Sequence, residues 1–195
     1  MASAAPAARA QDPLENPPAK GASADAAILE IVEFSDFECP FCARAIPVID
    51  SLMARHGDEV RVVYRHFPLP MHSHAESAAR AAVEAHRQGA FWEYHDLLFR
   101  NQDALTDVDL IGYADSLGLD TGRFEEAVRG EAHAERVAAD VALARSLGVR
   151  GTPTFYVNGY RVVGVPPVWV FEQAIAAFEE GTAKKRPLQA AGAFR

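Results

Sequence analysis

The cysteines of this chain most constrain its fold. Its 195 residues contain two of them, Cys39 and Cys42, separated by Pro40 and Phe41. A nearly continuous apolar run over residues 28–35 precedes the pair, and apolar residues at helical spacing follow it. The pair therefore falls where a buried strand passes into a helix. At such a junction the C-x-x-C spacing is typical of a redox-active pair.

The predicted helix start gives the two cysteines different roles. A helix N-terminus presents unpaired N–H groups and a partial positive charge, which together stabilise a thiolate. Because the thiolate is the reactive form, Cys39 is predicted to be the nucleophile. Cys42, one turn further in, is more shielded and is predicted to resolve a mixed disulfide on Cys39. Pro40 and Phe41, between the two cysteines, are expected to tune thiolate stability.

Other interpretations of the pair remain open. A zinc site needs about four ligands, and no second C-x-x-C motif is present in the chain to complete one. A structural disulfide or two unrelated buried cysteines would also fit, although short C-x-x-C bridges are often strained and labile. The strand–helix junction favours the redox interpretation, so neither a metal nor a cofactor is predicted.

The seven histidines of the chain do not add a predicted metal site. His72 and His74 are the closest pair, but no cysteine or acid cluster joins them at ligand spacing. They are interpreted as polar residues of a surface loop. His95, which lies on an aromatic helical stripe, is interpreted as a residue of the core or of its rim.

Further motifs surround the cysteine pair at specific spacings. Glu33 precedes Cys39 by six residues, Pro47 follows Cys42 by five, and Gly-Thr-Pro-Thr-Phe-Tyr-Val-Asn-Gly occupies residues 151–159. With these motifs, residues 26–181 resemble the DsbA-like branch of the thioredoxin superfamily. The resemblance implies an α/β thioredoxin fold, in which a central mixed β-sheet is flanked by helices and carries a helical insertion.

The resemblance also predicts how the chain is divided. Residues 1–27 are rich in Ala and Pro and are expected to be mostly disordered, and Lys184–Arg186 in the C-terminal tail are expected to be frayed and solvated. The predicted parts are a disordered segment at 1–27, a thioredoxin-fold domain at 28–66 and 149–181, an inserted helical domain at 67–148, and a tail at 182–195.

Periodicity and turn signals predict the remaining elements. A first helix at residues 41–56 is followed by a strand at 60–64, and Ser73 with Glu76 forms a capping-box pattern at the next helix. Asn-Gly at 158–159, between two short β-rich runs, is a strong hairpin signal.

The resemblance implies a thiol–disulfide oxidoreductase that exchanges the Cys39–Cys42 disulfide with cysteines of unfolded or reduced client proteins. Pro153 is expected to be cis, and the backbone of Thr152 is expected to pair with the client. A disulfide donor is the first interpretation, and a reductase or isomerase is the second. A metal-delivery module or a peptide-binding module without redox activity also remains possible.

Acidic residues near the pair carry further expectations. Glu33, on a buried strand, is either a proton acceptor with a pKa raised by burial or a residue at the solvent edge. Asp36 and Glu38 add negative charge near Cys39, so the pKa of this thiol is expected to be less depressed than in the strongest oxidants.

Compartment and partners follow from the redox interpretation. An oxidase works only where thiols are not kept reduced, so an extracytoplasmic monomer is expected, by resemblance with a membrane quinone-linked partner of the DsbB or VKOR type. Ala8-Arg9-Ala10 has the small-x-small form of a signal-peptidase site, which arises either by chance or from a truncated export signal. The net charge of −8 argues against nucleic acid as a partner.

Overall fold

A mixed sheet of five strands forms the centre of the protein. The structure, a computed structural model, describes residues 16–188, so Ala8-Arg9-Ala10 lies outside it. Strand β2 pairs in parallel with β3 and antiparallel with β4, and the strand order is β1-β3-β2-β4-β5. The strands are β1 Ala19–Gly21, β2 Leu29–Ser35, β3 Val60–His66, β4 Thr154–Val157 and β5 Tyr160–Val163.

Helices cover both faces of the sheet because apolar side chains of β2, β3 and β4 alternate between those faces. Helices α1 and α7 pack with Leu29 and Ile31 on one face, and α6 packs with Val32 and Phe34 on the other. The predicted central mixed sheet flanked by helices is thus confirmed. The helices are α1 Pro40–His56, α2 Ala75–Arg87, α3 Phe91–Arg100, α4 Asp107–Ser116, α5 Thr121–Arg129, α6 Ala134–Ser146 and α7 Val168–Glu179.

Five helices, α2 to α6, lie between β3 and β4, where the sequence predicted an inserted helical domain. Helices α2 to α5 share one apolar core with Phe37, Cys39 and Cys42. Helix α6 packs on the sheet through Ala144 and Leu147 and on α2 through Val137. Because α6 contacts both the sheet and α2, the predicted division into domains stays a prediction.

The N-terminal segment is ordered further than its composition predicted. Ala19–Gly21 pairs antiparallel with β3, although residues 1–27 were expected to be mostly disordered. The indole N–H of Trp92 also donates to the carbonyl of Ala19 at 3.2 Å. Edge-strand pairing uses main-chain groups that every residue carries, so a segment with few large apolar side chains can still add a strand.

The beginning of the C-terminal tail is held by hydrogen bonds, which corrects the expectation that it is frayed, whereas Lys184–Arg186 are exposed, as expected. The N–H of Arg186 donates to the carbonyl of Asn158 at 3.0 Å, and the hydroxyl of Tyr160 donates to the carbonyl of Lys184 at 3.2 Å. Gly159, with φ +83°, permits this close approach, because a Cβ there would collide with the carbonyl of Arg186. The residues that the tail contacts lie far from it in the sequence, so the composition of the tail did not predict these contacts.

The predicted capping box at α2 is wrong. The N-cap residue is His74, without a side-chain cap, and the hydroxyl of Ser73 lies 3.2 Å from Nδ1 of His74. The helix starts two residues after Ser73, since His74 is engaged with the segment before Cys39. A complete capping box is formed instead at α4, between Thr106 and Asp109.

A buried ion cluster fixes α6 on β3, and its loss should be costly. The carboxylate of Asp140 lies 2.9 Å from Nη1 of Arg65 and 2.6 Å from Nη1 of Arg136, and it accepts the N–H of His66 at 3.1 Å. We expect Asp140→Ala to lower the free energy of unfolding by about 3–5 kcal/mol, because it leaves buried cations without their anion.

Urea unfolding of Asp140→Ala and of Asp115→Ala, an exposed position on α4, provides the measurement. The control should stay within about 0.5 kcal/mol of the wild type. Equal stability of the two variants would show that the cluster contributes nothing.

Candidate active site

The start of α1 holds the cysteine pair. Cys39 is the N-cap residue and Pro40 the first residue of the helix, a position where the missing N–H of proline costs no hydrogen bond. The carbonyl of Cys39 accepts the N–H groups of Cys42 at 3.0 Å and Ala43 at 3.2 Å. The sulfur of Cys39 thus lies at the positive end of the helix.

The surroundings of the two thiols shift their pKa values in opposite directions. Both cysteines are free, with Cys39 3% and Cys42 0% exposed. The pKa of Cys39 is lowered to about 5, chiefly because the Cys42 thiol donates a hydrogen bond to it, with further donors from Thr152 and the backbone of Phe41. Burial raises the pKa of Cys42, and its hydrogen bond to Cys39 and the charge of Glu33 raise it further. This asymmetry agrees with a nucleophile at Cys39 and a resolving thiol at Cys42, roles that stay a prediction.

A loop distant in sequence lies against the cysteine pair. The sulfur of Cys39 is 3.5 Å from the carbonyl oxygen of Thr152, 113 residues along the chain, and the Thr152–Pro153 peptide bond is cis. The hydroxyl oxygen of Thr152 is buried and, apart from its interaction with Cys39, has no hydrogen-bond partner among residues 16–188. A client strand or a thiolate on Cys39 can therefore use this hydroxyl as a donor.

Glu33 lies inside the protein, so the alternative of a solvent-edge residue is wrong. It is 3% exposed, and its strand neighbours across the sheet are Tyr64 and Phe155. Burial raises the pKa of this carboxyl to about 7, with Ser35 and Lys20 acting in the opposite direction. Its Oε1 atom is buried and has no hydrogen-bond partner in the described part of the chain.

A small cavity connects Glu33 to polar groups nearer the surface. It is about large enough for one water molecule and is lined by Glu33, Lys20, Asp50, Trp92 and His95, together with apolar side chains. The ammonium of Lys20 lies 3.6 Å from a carboxylate oxygen of Asp50. Lys20 and Asp50 therefore provide polar groups next to the cavity, between Glu33 and the solvent to which its proton is released. The sequence did not identify Lys20 because strand β1 was not predicted.

The carboxylates expected to place negative charge beside Cys39 are each paired with a histidine. Nδ1 of His72 lies 2.8 Å from Asp36, and Nδ1 of His74 lies 3.2 Å from Glu38. The two histidines lie in a loop as predicted, but their pairing with residues before Cys39 was not foreseen. Among residues 16–188, no three His, Cys, Asp or Glu side chains are grouped to hold a metal ion.

Gln102, which no sequence motif indicates, also contacts the segment before α1. Its amide nitrogen donates to the carbonyl of Phe37 at 2.7 Å and to that of Cys39 at 3.0 Å. The acceptors are main-chain carbonyl groups, so the side chains of Phe37 and Cys39 give no sequence signal of this contact. His95, 2% exposed, lies in the core at the rim of the Glu33 cavity, as predicted.

Comparison with known families and structures gives a consistent match. The family model described as DSBA-like thioredoxin domain matches residues 30–176. A thioredoxin-like oxidoreductase from Silicibacter pomeroyi is 29% identical, with a TM-score of 0.74 over 86% of this chain and 93% of that one. Oxidised BdbD from Bacillus subtilis is 23% identical, with a TM-score of 0.70 over 84% of this chain and 91% of that one. These findings confirm the predicted resemblance, thioredoxin fold and enzyme class.

Curated relatives carry a different name. A protein of Salinispora tropica named Na(+)/H(+) antiporter NhaA 3 is 45% identical over 159 residues, which are 80% of this chain and 24% of that protein. The chain thus spans about a quarter of the length of the curated relatives it matches. No helix in the described residues is long and apolar enough to cross a membrane.

The opposite pKa shifts predict selective alkylation. In the reduced protein, iodoacetamide should modify Cys39 with a rate that is half-maximal near pH 5, because the pKa of Cys39 is lowered to about 5. Cys42 should stay unmodified in the folded protein, since burial raises its pKa. Mass spectrometry of peptides after a pH series gives both rates, with Cys39→Ser as the control. Faster modification of Cys42 at acidic pH would reverse the two roles.

Proposed function

Because the chain belongs to the family described as DSBA-like thioredoxin domain, we propose that it exchanges disulfides with cysteines of client proteins, as a disulfide donor in oxidative folding. The observation that carries this proposal is the opposite perturbation of the two thiols: the pKa of Cys39 is lowered and that of Cys42 is raised. A stable thiolate beside a protonated, buried partner suits an exchange reaction.

The donor reaction has two steps. A client thiolate attacks the sulfur of Cys39 in the Cys39–Cys42 disulfide, that S–S bond breaks, and Cys42 leaves as a thiolate that takes up a proton. A second client thiolate then attacks the client sulfur of the mixed disulfide, and Cys39 leaves as a thiolate. The client loses two electrons, and the cysteine pair gains them.

The low pKa of Cys39 supports the donor direction. A thiol with a low pKa is a good leaving group, and a stabilised thiolate favours the reduced form of the pair. Both effects make the disulfide form a stronger oxidant. A reductase or isomerase is the alternative, and the reduction potential distinguishes it from a donor.

Clients would bind beside the cysteines as extended chains. Thr152 and Pro153 lie next to Cys39, and Phe41, between the cysteines, is 52% exposed. Main-chain pairing with the Thr152 loop and apolar contact with Phe41 would accept many sequences. Pro40 and Phe41 would tune the thiols through the geometry of the first helical turn.

Glu33 would serve as the proton acceptor for Cys42. Its charge raises the pKa of Cys42, so the two groups interact, and its own pKa of about 7 suits proton transfer near neutral pH. The adjoining cavity, lined also by Lys20 and Asp50, would connect the carboxyl to solvent through a water molecule.

The proposed donor role determines the compartment and the partners that we propose. The protein would work outside the cytoplasm, where thiols are not kept reduced, as a monomer acting on reduced clients. A quinone-linked membrane protein of the DsbB or VKOR type would reoxidise it. Ion transport is not proposed from the antiporter name of the relatives, because the chain spans only about a quarter of their length.

A redox titration with a client assay tests the proposed function. Equilibration with glutathione buffers and mass spectrometry should show one reversible two-electron couple, at a potential closer to that of DsbA, about −120 mV, than to that of thioredoxin, about −270 mV. The oxidised protein should also introduce disulfides into a reduced, unfolded model client.

Controls separate the alternatives. Cys39→Ser should be inactive, whereas Cys42→Ser should accumulate a mixed disulfide between Cys39 and the client. A potential near that of thioredoxin would replace the donor by a reductase. Stoichiometric copper or zinc retained through purification, without a reversible couple, would favour metal delivery.

Glu33→Gln tests the proton acceptor. The pKa of Glu33 rises from 4.5 to about 7 on folding, so the folded protein loses stability as pH rises through that interval and remains less stable above it. The variant, which has no titrating carboxyl there, should exceed the wild type by about 3 kcal/mol in urea unfolding near pH 8 and match it near pH 4.

The same variant should slow resolution by Cys42 while leaving the first attack by Cys39 unchanged. Rapid-quench kinetics with oxidised glutathione separate the two steps. Equal rates in both proteins from about pH 5 to pH 8 would show that the proton passes to bulk water instead.

A further inference from the structure

The carbonyl groups on either side of Glu38 are held by one side chain from the helical segment between β3 and β4. The amide nitrogen of Gln102 donates to the carbonyl of Phe37 at 2.7 Å and to that of Cys39 at 3.0 Å. An amide oxygen in this place would repel both carbonyl oxygens, so the nitrogen faces them and gives each one of its two hydrogens. Gln102 thus fixes the main chain that leads into the cysteine pair.

The turn that carries Gln102 is itself held in place. It joins α3 to α4, and the side-chain amide of Asn101 donates to the carbonyl of Leu97, in α3, at 2.8 Å. The N–H of Ala104 closes the turn by donating to the carbonyl of Asn101 at 2.9 Å. Leu105, one residue further, is buried in the apolar core that also contains the cysteine pair. The amide of Gln102 therefore acts as a fixed point for the segment before α1.

The carbonyl of Cys39 is also the first acceptor of helix α1. It accepts the N–H groups of Cys42 and Ala43, and Gln102 is a third donor on the same oxygen. Cys39 has φ −79° and ψ 119°, extended values that an N-cap residue requires. Because the peptide between Cys39 and Pro40 is planar, a donor that fixes the direction of this carbonyl also fixes ψ of Cys39. Gln102 therefore restrains the backbone from which the nucleophilic side chain projects.

The sulfur of Cys39 has neighbours that require this placement. It lies 3.5 Å from the carbonyl oxygen of Thr152, and it stands at the N-terminus of α1, where N–H groups such as that of Phe41 help to lower its pKa. Hydrogen bonds weaken steeply when donor and acceptor move out of line. A change in ψ of Cys39 would turn the first helical turn away from the sulfur and reduce the stabilisation of its thiolate.

We propose that Gln102 is a positioning residue for disulfide exchange: its two hydrogen bonds hold the main chain of Cys39 so that the sulfur stays over the first turn of α1 and beside Thr152. This inference rests on the exchange function proposed above and adds to it a residue of the turn between α3 and α4. Both hydrogen bonds end on main-chain carbonyls, so Gln102 acts through Cys39 and does not itself carry out the chemistry.

The step that depends on this placement is the release of Cys39. In the donor direction a second client thiolate attacks the client sulfur of the mixed disulfide, the bond from that sulfur to Cys39 breaks, and Cys39 leaves with the electron pair as a thiolate. In the disulfide form Cys39 carries no charge, so Gln102 affects the reduced form more than the oxidised one. Loss of the two hydrogen bonds should therefore raise the pKa of Cys39, make it a poorer leaving group and make the disulfide a weaker oxidant.

Gln102→Met tests the inference, because it removes both donors and keeps the length of the side chain. Iodoacetamide modification of the reduced protein over a pH series, read by mass spectrometry of peptides, gives the pH at which Cys39 reacts at half its maximal rate. This pH should lie about 0.5 to 1 unit above the wild-type value near 5. Since both values lie below neutral pH, the equilibrium with glutathione at about pH 7 should shift by the same factor, about threefold to tenfold, toward the disulfide form.

A second variant and a control separate positioning from stability. Gln102→Ala leaves room for water at the carbonyl of Phe37 and should give the same shifts, and it replaces Gln102→Met if urea unfolding shows that the latter does not fold. Gln88→Met is the matched control, since the side-chain amide of Gln88 bonds the N–H of Asp120 at 2.8 Å and its carbonyl at 3.5 Å. This similar tie joins the residue after α2 to the residue before α5. The control should keep the wild-type half-maximal pH whatever its effect on the free energy of unfolding.

Two results would overturn the inference. One is a wild-type half-maximal pH for Cys39 in the folded Gln102 variants. The other is an equal shift in Gln88→Met, which would attribute the effect to lost stability and not to the hydrogen bonds on Cys39. A wild-type protein without a reversible couple in glutathione buffers would refute the proposed exchange function, and the inference with it, whereas a working couple with unshifted alkylation removes only the role of Gln102.

Discussion

The reactivity of the cysteine pair depends on the burial of Cys42 and Glu33 beneath the first turn of α1. Burial raises the pKa of both groups, so each is protonated more readily than in water. The protonated Cys42 thiol can then donate to Cys39, and this hydrogen bond is the largest cause of the low pKa at Cys39. The reactivity of the outer sulfur thus follows from the desolvation of the inner one.

The sheet supplies the geometry for this asymmetry. Strand β2 carries Glu33 and leads directly to Cys39, and β4, its antiparallel neighbour, begins directly after Thr152 and Pro153. Adjacent strands therefore bring the nucleophile, the buried acid and the client loop to one place, although Cys39 and Thr152 are 113 residues apart.

The inserted segment has a second role besides enlarging the core. Gln102 and His72, both between β3 and β4, hydrogen-bond the short segment that links β2 to Cys39. That segment lies outside the regular hydrogen bonding of β2 and α1, so other side chains must satisfy its polar groups. The insert is thereby hydrogen-bonded to the segment that leads into the cysteine pair.

The sequence by itself determined the features that depend on neighbouring residues. The strand–helix junction at Cys39 and the Asn158-Gly159 hairpin follow from local periodicity and turn chemistry. It also indicated Glu33, because an acid in an apolar strand is anomalous.

Only the tertiary structure decided which distant residues contact Glu33, Asp36 and Cys39. It put Lys20 beside the Glu33 cavity, His72 on Asp36 and Gln102 on the carbonyl of Cys39. These contacts span tens of residues and mostly use polar or main-chain groups that leave no periodic pattern. Their positions follow from how the strands and helices pack, which local sequence does not encode.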